Sequence, residues 1–327
     1  MKNNRRYFTH YTELILILLI IVLCAILSQV NDGFLTMANF RSLLKGFTIE
    51  GFALIGMCFL LITGTFDISV ASVTALSSFA FASLAITGMS ILFCMIIAIC
   101  LGAGVGAVNG IVVAKIGVNP FITTLATMTI VRGLVLAVSQ GNPIRMSSDA
   151  FRSLSWSEFH GIPVIFIIFV IVVIVVDYLL RRIRWFRQLF FIGGNEYSAE
   201  LTGINVRTMR IILFIIMGAL AALSGIFSAS RLEGSVPTAY VGMEMKLIVA
   251  CVIGGCSLNG GQGSLFGAVL GLIFLFILDN GMVMMQINIY WFQGVLGVFL
   301  IGVVLINTLL KKGIIGKSTT VENKSTS

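Results

Sequence analysis

Few residues in this 327-residue chain have a type and spacing that could do chemistry. The two histidines, His10 and His160, stand far apart, and neither H-E-x-x-H nor G-x-S-x-G occurs, so metalloprotease and serine-hydrolase chemistry have no anchor. The six cysteines (Cys24, Cys58, Cys94, Cys100, Cys251 and Cys256) fall singly inside or at the edge of apolar blocks. That placement predicts small core residues and indicates neither a disulfide framework nor a metal site. The glycine-rich run 254–264 contains no lysine to meet phosphates, so ATP hydrolysis is not expected of this chain. The ionisable residues nearest apolar stretches are Glu50, Asp67, Arg132, Asp177, Lys246 and Asp279. Most fall close to the end of an expected span, where snorkelling, capping or loop contact explains them. An ion-coupled carrier needs charges deep in its bundle, and candidates for that role are sparse.

The elements that must position these residues are membrane helices. Hydrophobic residues make up 58% of the chain and charged ones only 10%, too apolar a balance for a water-soluble globule. The apolar residues fall in blocks of roughly 18 to 25, the length a helix needs to cross ~30 Å of hydrocarbon, whereas a β-barrel would show shorter alternating segments. An all-α polytopic fold of about ten transmembrane helices follows, near 11–30, 46–64, 68–88, 89–114, 118–139, 162–180, 208–230, 243–256, 263–280 and 287–309. The first block follows Lys2, Arg5 and Arg6 but precedes no small-x-small cleavage site, so it reads as an uncleaved span. The block 243–256 is short and carries Glu244 and Lys246, the pattern of a broken or re-entrant helix.

The net charge of +8 is distributed as short clusters between spans and not as a continuous stripe, which argues for membrane topology over nucleic acid. Basic residues at 2–6, at Arg181, Arg182, Arg184, Arg187, Arg207 and Arg210, and at Lys311, Lys312 and Lys317 are assigned to the cytoplasm with both termini. Arg41 and Lys45, placed outside, count mildly against this. Gly102, Gly106 and Gly110 recur in spacing as Gly263, Gly267 and Gly271 about half the chain further on, and Asn119 is related to Asn280 by the same offset. Two five-helix halves would have opposite orientations, a 5+5 inverted repeat. The immediate expected role of the glycines is close helix packing.

Five segments carry a resemblance. They are Ile62-Thr63-Gly64-Thr65-Phe66-Asp67-Ile68-Ser69-Val70-Ala71-Ser72; Asn119-Pro120-Phe121-Ile122-Thr123-Thr124-Leu125 with Arg132-Gly133 downstream; Gly193-Gly194-Asn195-Glu196-Tyr197-Ser198-Ala199-Glu200-Leu201-Thr202-Gly203-Ile204; the Gly254–Gly267 stretch; and Asp279-Asn280-Gly281. Together and in this order they resemble the permeases of ribose-type ATP-binding cassette importers, a family that includes autoinducer-2 and nucleoside transporters. Thr65 and Ala71 depart from its pattern, which has glycine at both places. From the residues, Asp67 reads as a helix N-cap or as lining a polar passage, and Pro120 suits a first helical turn. The 193–204 stretch suits a short amphipathic helix ending at Gly203.

The resemblance implies one membrane permease domain over 1–327, a cytoplasmic coupling loop at 181–207 and a polar cytoplasmic tail at 311–327, in a bacterial inner membrane. It implies coupling to an ATPase through Gly193, Gly194, Asn195, Glu196, Ala199, Gly203 and Ile204. Asp67, Ser69, Asn119, Phe121, Thr124, Arg132 and Asn280 are candidate pathway or structural residues, with Asp279-Asn280-Gly281 forming a turn before the last helix. The expected partners are a second permease copy or related chain, a nucleotide-binding ATPase carrying ATP and Mg, an external solute-binding protein and the bilayer. The chain itself has no cofactor, and its expected cargo is a sugar or sugar-like solute. An ion-coupled carrier or channel, and a scaffold without transport, are the rival readings.

Overall fold

The computed structural model describes residues 2–146, 148–288 and 290–311. The polar tail expected at 311–327 thus lies outside the described residues apart from Lys311. Apart from two short antiparallel strand pairs the architecture is helical: α1 Lys2–Val30, α2 Met37–Ile62, α3 Val70–Ile86, α4 Ile91–Ile111 continued by a π turn Val112–Ile116, α5 Pro120–Ser139, α6 Asp149–Trp156, α7 Val164–Arg182, α8 Arg184–Gly194, α9 Glu196–Leu201, α10 Val206–Leu232, α11 Met243–Ile253, α12 Leu265–Met284 and α13 Tyr290–Lys311. Each of the ten expected apolar blocks corresponds to one helix. Seven of them (within α1, and α2, α4, α5, α7, α10 and α12) are long and apolar enough to cross a membrane. α3 has 17 residues, and the described apolar part of α13 runs from Tyr290 to Gly302.

The short block is a half-length helix. α11 has 11 residues, about 16 Å at 1.5 Å per residue. It begins after Gly242 (φ +87°) and stops at Gly254 and Gly255, the latter at φ +96°. The chain leading into it is irregular but buried at Gly234 and Ser235, which pair antiparallel with Ile144–Arg145. Ser78, inside α3, donates to the Ser235 hydroxyl at 2.9 Å. Irregular backbone at membrane depth is tolerated only where protein satisfies it.

α2 is the hub. It is buried from Lys45 to Ile62 except at Glu50 and packs against α7, α10, α11 and α12. Its far turns extend beyond the expected start at residue 46, and this accounts for Arg41 and Lys45. Glu158 pairs with Lys45 at 3.1 Å and Arg41 at 3.3 Å, and the Lys45 ammonium lies 4.2 Å from the Trp156 ring centroid. Both cations thus share one carboxylate within the fold.

Two ends of the bundle are defined by contacts. At one, which carries the basic 181–210 segment, the Gly261 N–H donates to Ile62 O at 2.8 Å. At the other, Asn39 and Asn280 exchange side-chain hydrogen bonds of 2.8 and 3.1 Å. Between these ends α2 and α10 run in opposite senses, as do α3 and α11, and α4 and α12. α10 packs on α3 and α4 while α2 packs on α11 and α12, the arrangement of an inverted repeat. The two glycine triplets do not mark equivalent contacts within it. A Cβ on Gly102, Gly106 or Gly110 would run into the backbone of α10 at Gly218, Phe214 and Ile211, whereas one on Gly267 or Gly271 would strike Gly254 and Ala250 at α11. Asp279-Asn280-Gly281 is also not a turn: it lies inside α12, which continues to Met284, because no strained φ or unpaired backbone interrupts the helix there.

Gly106→Val should therefore destabilise the fold by about 1–3 kcal/mol or more through overpacking. Gly104→Val, on the same helix but facing open space, should be nearly neutral. Thermal unfolding of the two variants in detergent reads the difference.

Candidate functional site

The basic end is organised around three glycines. α8 is amphipathic and buries Leu189 and Ile192. At its last turn Gly193 lies against Ile62 O and Gly261 N, with no room for a Cβ. A Cβ on Gly260 would meet Gly64 N at 2.7 Å and Gly193 Cα at 2.8 Å, and one on Gly261 would meet Gly194 Cα at 2.9 Å. Three chain segments (the α2 exit, the α8 end and the 257–263 loop) thus touch backbone to backbone. Gly64 holds φ +78°; the Thr65 that replaces a family glycine beside it bonds through its hydroxyl to Leu60 O and Thr63.

From this junction α9 projects as a fixed element. Asn195 Oδ1 accepts from Ser198 N–H at 2.9 Å, an N-cap. At the other end, Gly203 N–H donates to Glu200 O and Ile204 N–H to Ala199 O, with Gly203 at φ +83°. This is a Schellman closure, which satisfies the last carbonyls and favours glycine at that position. Arg210 of α10 grips both Glu196 oxygens at 2.6 and 2.7 Å. Ala199 is buried and Ile204 packs on the core, while Phe191, Tyr197 and Leu201 are exposed by 65%, 71% and 72%. A cavity of about 390 Å³ beside them is lined by Phe190, Phe191, Gly194, Asn195, Ser198 and Ala199.

Asp67 begins a second, buried polar seam. Its Oδ1 accepts from Ser69 N–H at 2.8 Å and Ser69 Oγ at 2.6 Å. It therefore caps the backbone just ahead of α3, with Ser69 as the first flanking residue of the helix. The Asn109 amide donates to Ser69 Oγ at 2.9 Å, and Thr127 donates to Asn109 Oδ1 at 2.6 Å. Ser72 Oγ donates to Met128 O at 2.9 Å. The seam joins the α3 start, α4 and α5. Asn119 caps α5 through Phe121 N–H at 2.8 Å, with Pro120 in the first turn. Phe121 is 46% exposed and touches Phe66 at 6.4 Å between ring centroids. Thr124 is buried and bonds back to Pro120 O.

Arg132 lies in the second half of α5. Its Nη1 donates to Pro237 O at 2.8 Å and Ala239 O at 2.9 Å, clasping the irregular segment before α11. Asn280 is apart from all of these, locking α12 to α2 through Asn39. The site residues therefore form two groups at the basic end and two separate clasps at the other.

Sequence reasoning missed several partners. Asn109 and Thr127 close the seam, and the available signal was one amide inside an otherwise apolar, glycine-rich helix. Arg210 appeared only as a topology charge. Glu50, expected near a span end, lies in the middle of α2 because that helix starts at Met37. Lys246 reaches it at 3.2 Å, lies 3.9 Å from Asp279 and sits 3.5 Å from the Phe276 ring centroid. These charges join α2, α11 and α12, so snorkelling and capping do not describe them.

Residues 39–304 match the model of the family described as permease components of branched-chain amino acid transport systems. The chain belongs to that family of membrane permeases: it is a transport component and not an enzyme, built as a multi-pass membrane protein. Among curated relatives it is 33% identical to the ribose import permease protein RbsC of Escherichia coli K12 over 93% of this chain and 97% of the relative. It is 34% identical to the L-arabinose transport system permease protein AraH of the same strain over 94% and 93%, and 32% identical to its D-allose transport system permease protein AlsC over 95% of each. No solved structure matches the chain.

Lys246→Met should cost roughly 3 kcal/mol by leaving Glu50 and Asp279 without their cation, and adding Glu50→Leu should recover part of that loss. Unfolding of the single and double variants in lipid nanodiscs checks both signs.

Proposed function

We propose that this chain is the membrane-spanning permease subunit of an ATP-driven importer for a sugar or sugar-like small solute. Support comes from membership of a permease family, from relatives named for ribose, L-arabinose and D-allose transport, and from the five motifs in order. The observation that carries the reading is the α8–α9 segment. It presents exposed Tyr197 and Leu201 next to an open groove, yet is held by caps, by the Glu196–Arg210 pair and by the Gly193 junction. A surface helix so constrained is suited to receive force from a docked subunit.

In this reading the basic end faces the cytoplasm with both chain termini, in a bacterial inner membrane. The 181–207 loop couples to a nucleotide-binding ATPase that carries the ATP and Mg; this chain needs no cofactor of its own. Displacement of α9 passes through Gly193 and Gly194 to the 257–263 loop and to the α2 exit. From there it reaches Asp67, Ser69, Asn109 and Thr127 and so α5. A second permease, either another copy or a related chain, completes the pathway, and an external solute-binding protein delivers the cargo. The permease then needs only weak polar contacts with the solute, since a pathway that binds tightly in every state cannot release it.

Tagging the chain and solubilising it gently from its native membrane should copurify an ATPase subunit; recovery of this chain alone would refute the importer reading. Glu196→Ala and Gly203→Trp should leave membrane insertion intact and reduce solute uptake per ATP by about fivefold or more, the scale of a typical coupling free energy. Unchanged uptake in both would remove the coupling role from α9.

A further inference from the structure

Three cysteines that sit singly in the sequence converge next to the glycine junction. Cys58 lies in the last turns of α2, Cys251 in the last turn of α11 and Cys256 in the loop that follows. All three are buried free thiols. The sulfurs of Cys58 and Cys256 are 3.7 Å apart, close enough for one thiol to donate to the other. Cys251 is within hydrogen-bonding reach of both sulfurs. The same loop carries Gly260 and Gly261, whose backbones bear on Gly193, Gly194 and Gly64, and Gly263, where a Cβ would meet both Ile62 and the Cys256 sulfur.

We propose that Cys58 and Cys256 form an oxidation site at which hydrogen peroxide closes a disulfide between α2 and the glycine loop, locking the junction under α9. The thiolate of Cys256 attacks one peroxide oxygen, the O–O bond breaks, and the departing hydroxide takes a proton to become water. Cys58 then attacks the sulfenic sulfur: the S–S bond forms, the S–O bond breaks, and the hydroxyl leaves with the Cys58 proton as a second water. Two thiols are oxidised by two electrons and the peroxide is reduced. Formation of the bond needs the sulfurs to close to about 2 Å. Cys256 can make that approach because it rides on a non-helical loop next to Gly255, which is in the left-handed conformation, whereas Cys58 is held in the helix. The consequence for transport rests on the importer reading, since it requires α9 to move relative to α2.

The test treats the full chain, with its copurifying partners, in sealed vesicles with hydrogen peroxide and reads two quantities. Mass spectrometry of thiol-blocked digests should find a Cys58–Cys256 linked peptide pair that dithiothreitol removes and that is missing in Cys58→Ser, Cys58→Ala and Cys256→Ala. Solute uptake should be lost on oxidation and restored by dithiothreitol in the parent chain, and should resist peroxide in whichever of these variants inserts normally. Sulfinic Cys256 without linkage, linkage confined to the other cysteines, or peroxide inhibition that persists without Cys58 overturns the proposal. Linkage with uptake unimpaired overturns the lock. Vesicles that take up no solute before oxidation would instead count against the importer reading, while the peptide pair still decides the dithiol site.

Discussion

Close backbone approach between helices is the constraint on which the rest of this structure depends. Lipid provides no hydrophobic drive to bring two apolar helices together, so association relies on contact at short range and on hydrogen bonds between helices. α10 supplies this contact to both sides. It meets α4 at Gly102, Gly106 and Gly110, and its Gly225 lies against the Thr74 carbonyl of α3. Thr74 in turn donates to Ala221 O, and Ser224 donates to Ile49 O of α2. A helix as apolar as α10 thereby acquires a defined orientation from small residues and single hydroxyls.

The same physics recurs where helices end. At the basic end the approach is between loops, through Gly193, Gly260 and Gly261, and it joins the exposed α9 to the α2 exit without any large side chain between them. Backbone contact of this kind transmits displacement more faithfully than contact between flexible side chains. Asp67 and Ser69 follow directly on the α2 exit and are hydrogen-bonded into the seam to Asn109 and Thr127. α5 is joined to this seam through Thr127 and the Met128 carbonyl.

At the other end charge does this work. Glu158 is shared by Arg41 and Lys45, and Arg132 satisfies two carbonyls of a buried irregular segment, while deeper in the bundle Lys246 holds Glu50 and Asp279. Each of these charges meets a polar or charged partner within protein, because an isolated one in hydrocarbon is too costly to keep. The short α11 is stable for the same reason: the segment before it is tied to Ser78, Arg132 and the Ile144–Arg145 strand.

What the sequence by itself determined is whatever depends on residues close in the chain. Apolar block length marked a helix at each of the ten expected places, Pro120 announced the start of α5, and the 193–204 pattern announced α9 and its glycine closure, because hydrophobic length and capping act over a few residues. Only the tertiary structure decided which glycine meets which backbone, that Asp67 reaches Thr127 through Asn109, that Lys246 finds Glu50, and that Cys58 joins Cys256. It also moved Asp279-Asn280-Gly281 from a turn into α12 and Glu50 to the middle of α2. The reason is that helices apolar on every side carry no amphipathic stripe to reveal the face they bury, so partners from distant parts of the chain are chosen by shape and by isolated polar groups that local pattern does not register.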